Sequence, residues 1–264
     1  MSKRQRARSI IPSLFTVMNL FSGFIAIKYA FVDNKFELAS LFVVMGGIFD
    51  MLDGVMARLT HSSSEFGVEL DSLADVVTFG VAPSAILYKV FFYQFGDPGL
   101  LLAALPAILG AVRLARFNTQ LVGFDKDYFR GLPIPSSAIL IVTYVTFFHL
   151  KLPLAERLDD IWMFVVNIGA SLMMVSTVKY DVVPKPTKTQ IKAHPLKFSI
   201  YFVGIVLAIV TKGWAIFPLF ALFILYGIVR SLVERIKRLI RHRHAAALLD
   251  EEALEHEERS TFGI

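Results

Sequence analysis

Asp50-Met-Leu-Asp53-Gly54-Val-Met-Ala57-Arg58, then eight residues, then Gly67-Val-Glu69-Leu-Asp71-Ser-Leu-Ala-Asp75, sets four aspartates and an arginine inside sequence that is apolar on both sides. An aspartate held near the middle of a bilayer helix costs about 2.5–3.5 kcal/mol, so such a cluster needs a partner or a task. Asp50 and Asp53 are three apart and Asp71 and Asp75 four apart, which puts each pair on one face of a helix. The short polar loop His61-Ser-Ser-Ser64 joins the two helices, so they are predicted to present four carboxylates to a shared volume.

Outward from this stretch the chain reads as a membrane protein. Of its 264 residues 55% are hydrophobic, against about 45–50% in globular domains, and the mean hydropathy is +0.60. Apolar runs near the length that crosses a bilayer recur along the whole chain. They predict an all-α integral membrane protein of about eight helices, near residues 11–32, 36–59, 65–93, 98–121, 134–151, 158–178, 198–211 and 214–234. With no cysteine, disulfides and thiolate metal sites are excluded. The net charge of +5 raises nucleic acid as a partner, but the basic residues flank apolar spans without interleaved exposed aromatics, which fits anionic lipid and topology better.

The basic start, Met1 to Arg8, is read as a retained cytoplasmic tail, since no small-residue cleavage site follows the first apolar run. With that end inside, the 59–64 loop, the 122–133 loop and the lysine-rich loop 179–197 share the cytoplasmic face with the C-terminus. The opposite loops carry only Lys35, Lys151, Arg157 and Lys212. This is the asymmetry the positive-inside rule requires, and an even number of spans keeps both termini inside. The expected location is the cytoplasmic membrane, with the aspartates toward the cytoplasmic face. Trp214 reads as an interfacial anchor, and residues 245–258 as a short helix or a disordered tail.

Four oxygen donors without His or Cys suit a hard divalent cation, Mg²⁺ or Mn²⁺, and could bridge two ions; such ions usually bind together with substrate phosphates. Gly54 and Gly67 leave room for a bulky ligand, and Arg58 offers a fork of donors suited to phosphate oxygens. Two other readings stay open on spacing alone. The aspartates could pair with Arg58, Arg113 and Arg116 as buried salt bridges, or they could line an ion or proton pathway. A transporter would be expected to repeat an acidic or broken helix in its second half, and spans seven and eight contain no acid before Glu234.

The full pattern, Asp50-x-x-Asp53-Gly54-x-x-Ala57-Arg58, eight residues, Gly67-x-x-x-Asp71-x-x-x-Asp75, resembles the signature of the CDP-alcohol phosphotransferase family at every position. The resemblance implies an integral-membrane enzyme with a six-helix core, two metal ions on the four aspartates, and a homodimer. In such an enzyme an alcohol attacks the lipid-side phosphorus of a CDP-linked lipid and CMP leaves. It further implies that Asp50, Asp53 and Asp71 are metal ligands, that Asp75 is both ligand and general base, and that Gly54, Arg58 and loop Ser64 contact the CDP moiety. Residues 1–180 would be the catalytic core, and 181–264 a lysine-rich loop, two added helices and a charged tail.

Four flanking stretches are similar to the branch of the family that transfers phosphatidyl from CDP-diacylglycerol to L-serine. They are Pro12-Ser-Leu-Phe-Thr16-x-x-Asn19 with Gly23, Thr78-Phe-Gly80-Val-Ala-Pro83-Ser84, Arg113-Leu-Ala-Arg116-Phe-Asn118, and Phe129-x-Gly131-Leu-Pro133-x-Pro135. Ser176-Thr177-x-x-Tyr180 resembles that branch's sixth-span ending. A serine acceptor needs cations for its carboxylate, and Arg113 and Arg116, three apart, are the candidates, with Asn118 and Asn19 as partners. Topology anchoring is the bland alternative for the two arginines. Arg8, Arg130 and Lys179 are weaker candidates whose long stems suit snorkelling, and Glu69 could orient Arg58. Acceptors bearing a second phosphate, glycerol phosphate or inositol phosphate, would want a denser basic pocket.

Overall fold

The computed structural model describes residues 3–60, 65–120, 128–152, 156–181 and 195–262. Helices α1 (Lys3–Phe31) and α2 (Phe36–Thr60) form an antiparallel pair. Their turn is closed by a 2.6 Å ion pair between Lys28 and Asp33 and by Asn34 at φ 51°, a left-handed conformation that Asn tolerates better than most residues. Helix α3 (Glu65–Asp75) runs through a wide π-helical turn, Val76–Val81, into α4 (Ala82–Val90), making one span. A 3₁₀ turn, Phe92–Phe95, leads to α5 (Gly96–Ala103) and α6 (Leu105–Gln120). Helix α7 (Ile134–Thr143) ends in a second π-helical turn, Tyr144–His149, and α8 (Glu156–Val175), α9 (Pro195–Val210) and α10 (Ile216–Phe262) follow.

Among the described residues, six helical stretches are long and apolar enough to cross a membrane, and two further apolar helices, Ile134–His149 and Phe198–Val210, are shorter. The multi-pass expectation therefore holds, with six full-length spans and two short apolar helices where about eight spans were expected.

Contacts sort the turns of residues 3–222 to two ends. At one end Lys151 reaches Glu37 at 3.3 Å, Phe91 packs edge-on against His149, and Gly213 lies against Phe147. At the other end the connections after α6 and α8 pair as a short antiparallel ribbon, β1 (Tyr128–Arg130) with β2 (Lys179–Asp181), Phe129 opposite Tyr180. Gly131 follows at φ +79°, its N–H donating to the Val178 carbonyl at 2.8 Å; a Cβ there would sit 2.2 Å from the Met174 carbonyl oxygen. Only glycine fits that turn. The ribbon departs from the otherwise all-helical expectation, because strands of three residues carry no periodicity to read.

Trp214 packs against Phe147 and Phe148, with ring centroids 5.5 and 5.8 Å away, so it is a tertiary contact as well as a candidate anchor. Residues 223–264 separate as a unit of their own, and the backbone there stays helical to Phe262 with no break at the basic segment. Arg230 and Arg238 bracket Glu234 at 3.1 and 3.8 Å, and i,i+4 pairs of this kind favour a helix over a loop.

What positions the aspartates is a junction of α1, α2 and the first π-helical turn. The Thr78 hydroxyl donates to the Asn19 carbonyl at 2.8 Å. A Cβ on Gly23 would lie 2.7 Å from Thr78 Cα, and one on Gly46 would lie 2.4 Å from Thr78 Cγ2. Two glycines thus let α1 and α2 close on Thr78, three residues beyond Asp75. Gly80 does the same for α6, where its Cβ would meet Ala107 Cα at 3.1 Å.

Candidate active site

Asp50 comes from α2, Asp71 and Asp75 from α3, and each contributes a carboxylate oxygen within 4.8 Å of the others. Asp50 and Asp71 are half-buried and Asp75 is 8% exposed. Asp53, also buried, faces α1, where the Thr16 hydroxyl donates to its Oδ2. Three of the four expected carboxylates therefore meet in one volume, and the fourth adjoins it through α1.

The trio fits a hard divalent cation on two counts. Its donors are all carboxylate oxygens, the set such ions prefer, and Asp71 Oδ1 is buried with no hydrogen-bonding partner among the described residues. A buried acceptor left without a donor costs about 1–3 kcal/mol, and a bound cation relieves that cost.

Asp75 is the point where the elements converge. Asn19 of α1, fully buried, donates from Nδ2 to Asp75 Oδ1 at 3.1 Å. Arg113 of α6, 7% exposed, lies close enough to interact electrostatically with both Asp75 and Arg116. Its Nε is buried without a hydrogen-bond acceptor among the described residues. The π-helical turn begins at the next residue, Val76, a device often found at functional sites because it re-aims the side chains beside it.

The other anticipated residues divide. Arg58 is exposed on the last turn of α2, with Nη1 3.5 Å from where a Gly54 Cβ would stand, so guanidinium and bare backbone adjoin. Arg116 Nη1 donates to the Val175 carbonyl at 3.0 Å, tying α6 to the end of α8. Asn118 Nδ2 donates to Ser72 Oγ at 2.9 Å, tying α6 to α3. Glu69 is exposed. Ser64 lies outside the described residues, as do the side chains of Arg8, Arg130 and Lys179.

Residues 9–168 match the family model for CDP-alcohol phosphatidyltransferase. The chain belongs to that family. The match to the CDP-alcohol phosphatidyltransferase family runs from α1 into α8 and takes in the aspartates, Asn19, Arg113 and the π-helical turn after Asp75. Relatives include the CDP-diacylglycerol–serine O-phosphatidyltransferase of Helicobacter pylori, 37% identical over 238 residues, 90% of this chain and 97% of that one. The protein of the same name from Methanocaldococcus jannaschii is 35% identical over 222 residues, 83% and 93% of the two chains. A solved structure, Mycobacterium tuberculosis phosphatidylinositol phosphate synthase with CDP-DAG bound, aligns with TM-score 0.49 at 17% identity, over 66% of this chain and 91% of that one.

Sequence reasoning gave Thr16 and Thr78 no role beyond membership of a motif, and it did not single out Gly46 or Ser72. One signal was available: Thr16, Asn19 and Gly23 recur every three or four residues along α1, a polar or small stripe on an otherwise apolar helix.

Proposed function

We propose that this protein is a CDP-diacylglycerol–serine O-phosphatidyltransferase. The observation that carries the reading is the gathering of two further carboxylates and the Asn19 amide at Asp75, with the buried Arg113 guanidinium within electrostatic reach. The names of relatives that match most of the chain support the choice of serine.

In this reading Asp50, Asp53, Asp71 and Asp75 hold two divalent ions, Mg²⁺ or Mn²⁺. When bound, such ions neutralise a diphosphate and the charge that develops as it breaks. The open backbone at Gly54, with Arg58 beside it and Ser64 in the following loop, receives the CDP moiety. Arg113 offers its fork of donors to the serine carboxylate, a charge-assisted contact that supplies the acceptor its buried Nε lacks; Arg116 and Asn118 brace the helix that carries it. Asp75 takes the serine hydroxyl proton. The hydroxyl oxygen bonds to the lipid-side phosphorus, and the bond from that phosphorus to the bridging oxygen breaks. CMP leaves with the electron pair.

Residues 1–180 form the catalytic core, and 181–264 supply added helices and a charged tail. The enzyme acts as a homodimer in the cytoplasmic membrane, with both termini and the site on the cytoplasmic side. Incorporation of radiolabelled serine into lipid, dependent on CDP-diacylglycerol and a divalent metal, tests the reading. Product with glycerol 3-phosphate but none with serine overturns it.

A further inference from the structure

We infer that α1 positions the metal-site carboxylates through Thr16 and Asn19, acting as a two-point clasp. The two residues are three apart and so share one face. Thr16 is 2% exposed and Asn19 not at all. The Thr16 hydroxyl donates to Asp53 Oδ2 on α2, and Asn19 Nδ2 donates to Asp75 Oδ1 on α3. One helix that supplies none of the carboxylates thus grips one from each of the two helices that do.

A carboxylate with one oxygen held by a donor has its plane and rotamer set, and the direction of its remaining lone pairs with them. Hydrogen bonds of this kind to metal ligands typically carry about 10–100-fold in metal affinity or activity. The clasp is itself held in place. Thr78 anchors the Asn19 main chain at 2.8 Å, and Gly46 leaves the space that the Asn19 amide occupies, since a Cβ there would stand 2.9 Å from Asn19 Oδ1. Asn19, expected from the sequence to partner a serine acceptor, is assigned by this geometry to Asp75.

The inference rests on the proposed metal site, so its test includes a readout that needs neither acceptor nor turnover. Mn²⁺ binding to purified Thr16→Val, Thr16→Ser and Asn19→Leu proteins in nanodiscs is measured by electron paramagnetic resonance, with thermal unfolding alongside. Serine transfer is then followed as a function of Mn²⁺. Thr16→Val is expected to raise the Mn²⁺ dissociation constant about 10–100-fold, and Thr16→Ser, which keeps the hydroxyl, to return it to within about threefold of the parent. Asn19→Leu is expected to weaken Mn²⁺ and also to leave a lower kcat at saturating metal, because it releases Asp75. Equal Mn²⁺ affinity in the parent and Thr16→Val proteins overturns the clasp, as does a Thr16→Ser protein no better than Thr16→Val. If the parent protein binds Mn²⁺ and these shifts appear but serine is not the acceptor, the clasp stands and the choice of serine falls.

Discussion

Gly23→Ala tests how far the site depends on the seating of α1. The added Cβ would meet Thr78 Oγ1 at 2.6 Å and Thr78 Cα at 2.7 Å, the second about 0.7 Å short of the 3.4 Å at which ordinary contact begins. A side chain could rotate away, but Cα belongs to the backbone of the π-helical turn, so α1 must retreat. Asn19 lies one turn earlier on α1, and a retreat of that size stretches its 3.1 Å bond to Asp75 beyond hydrogen-bonding range. Overpacking of this kind costs about 1–3 kcal/mol, which for a chain of this size lowers Tm by about 2–12 °C. Serine transfer assayed well below that Tm should fall about tenfold or more, the lower end of what a lost hydrogen bond to a metal ligand typically carries. Thr78→Ala in the same background should not rescue, because Cα remains. An unchanged Tm refutes the contact, rescue by Thr78→Ala refutes its backbone origin, and a lowered Tm with full transfer refutes the link from α1 to Asp75.

Other expectations follow from the same geometry. Asp75→Asn should abolish transfer while CDP-diacylglycerol binding persists, whereas Asp53→Asn should weaken metal and nucleotide binding together; equal loss of binding in both refutes that division of labour. Arg113→Ala should raise the serine KM at least about tenfold, with the KM for CDP-diacylglycerol little changed. Arg116→Ala, which removes the bond to Val175, should act mainly on Tm, so a larger serine KM effect from Arg116 reverses the assignment. Burial pushes the Tyr180 hydroxyl up to about 12, above the value near 10 of an unfolded tyrosine. Its contribution to stability is therefore complete below pH 10 and lost as pH rises toward 12, and Tyr180→Phe should remove that alkaline component from thermal unfolding followed between pH 9 and 12.

Much of the architecture was legible because bilayer physics writes it into composition. Long apolar runs can only be helices, and the boundaries expected for α2 and for the span from Glu65 onward agree with the structure to within a few residues. The charged tail was legible only as a choice between a short helix and a disordered segment; the backbone takes the helical choice and runs unbroken from the last span to Phe262, with i,i+4 pairs around Glu234 supporting the stretch that leads into it.

The sequence by itself determined the multi-pass helical character, the helical faces of the two aspartate pairs and, through the spaced signature, the family. The first two depend on patterns along one helix, which periodicity encodes directly, and the third on fixed spacing across two adjoining helices. Only the tertiary structure decided that Asp50, Asp71 and Asp75 form the trio while Asp53 turns to Thr16. It alone separated Asn19, which bonds Asp75, and Arg113, whose charge acts on Asp75, from Arg116 and Asn118, which tie helices together. The Thr16, Asn19, Arg116 and Asn118 contacts are hydrogen bonds between residues 37 to 59 positions apart. Helical spacing says which side chains share a face; which neighbour that face meets is set by how closely the helices approach, and at this junction by the missing side chains of Gly23 and Gly46.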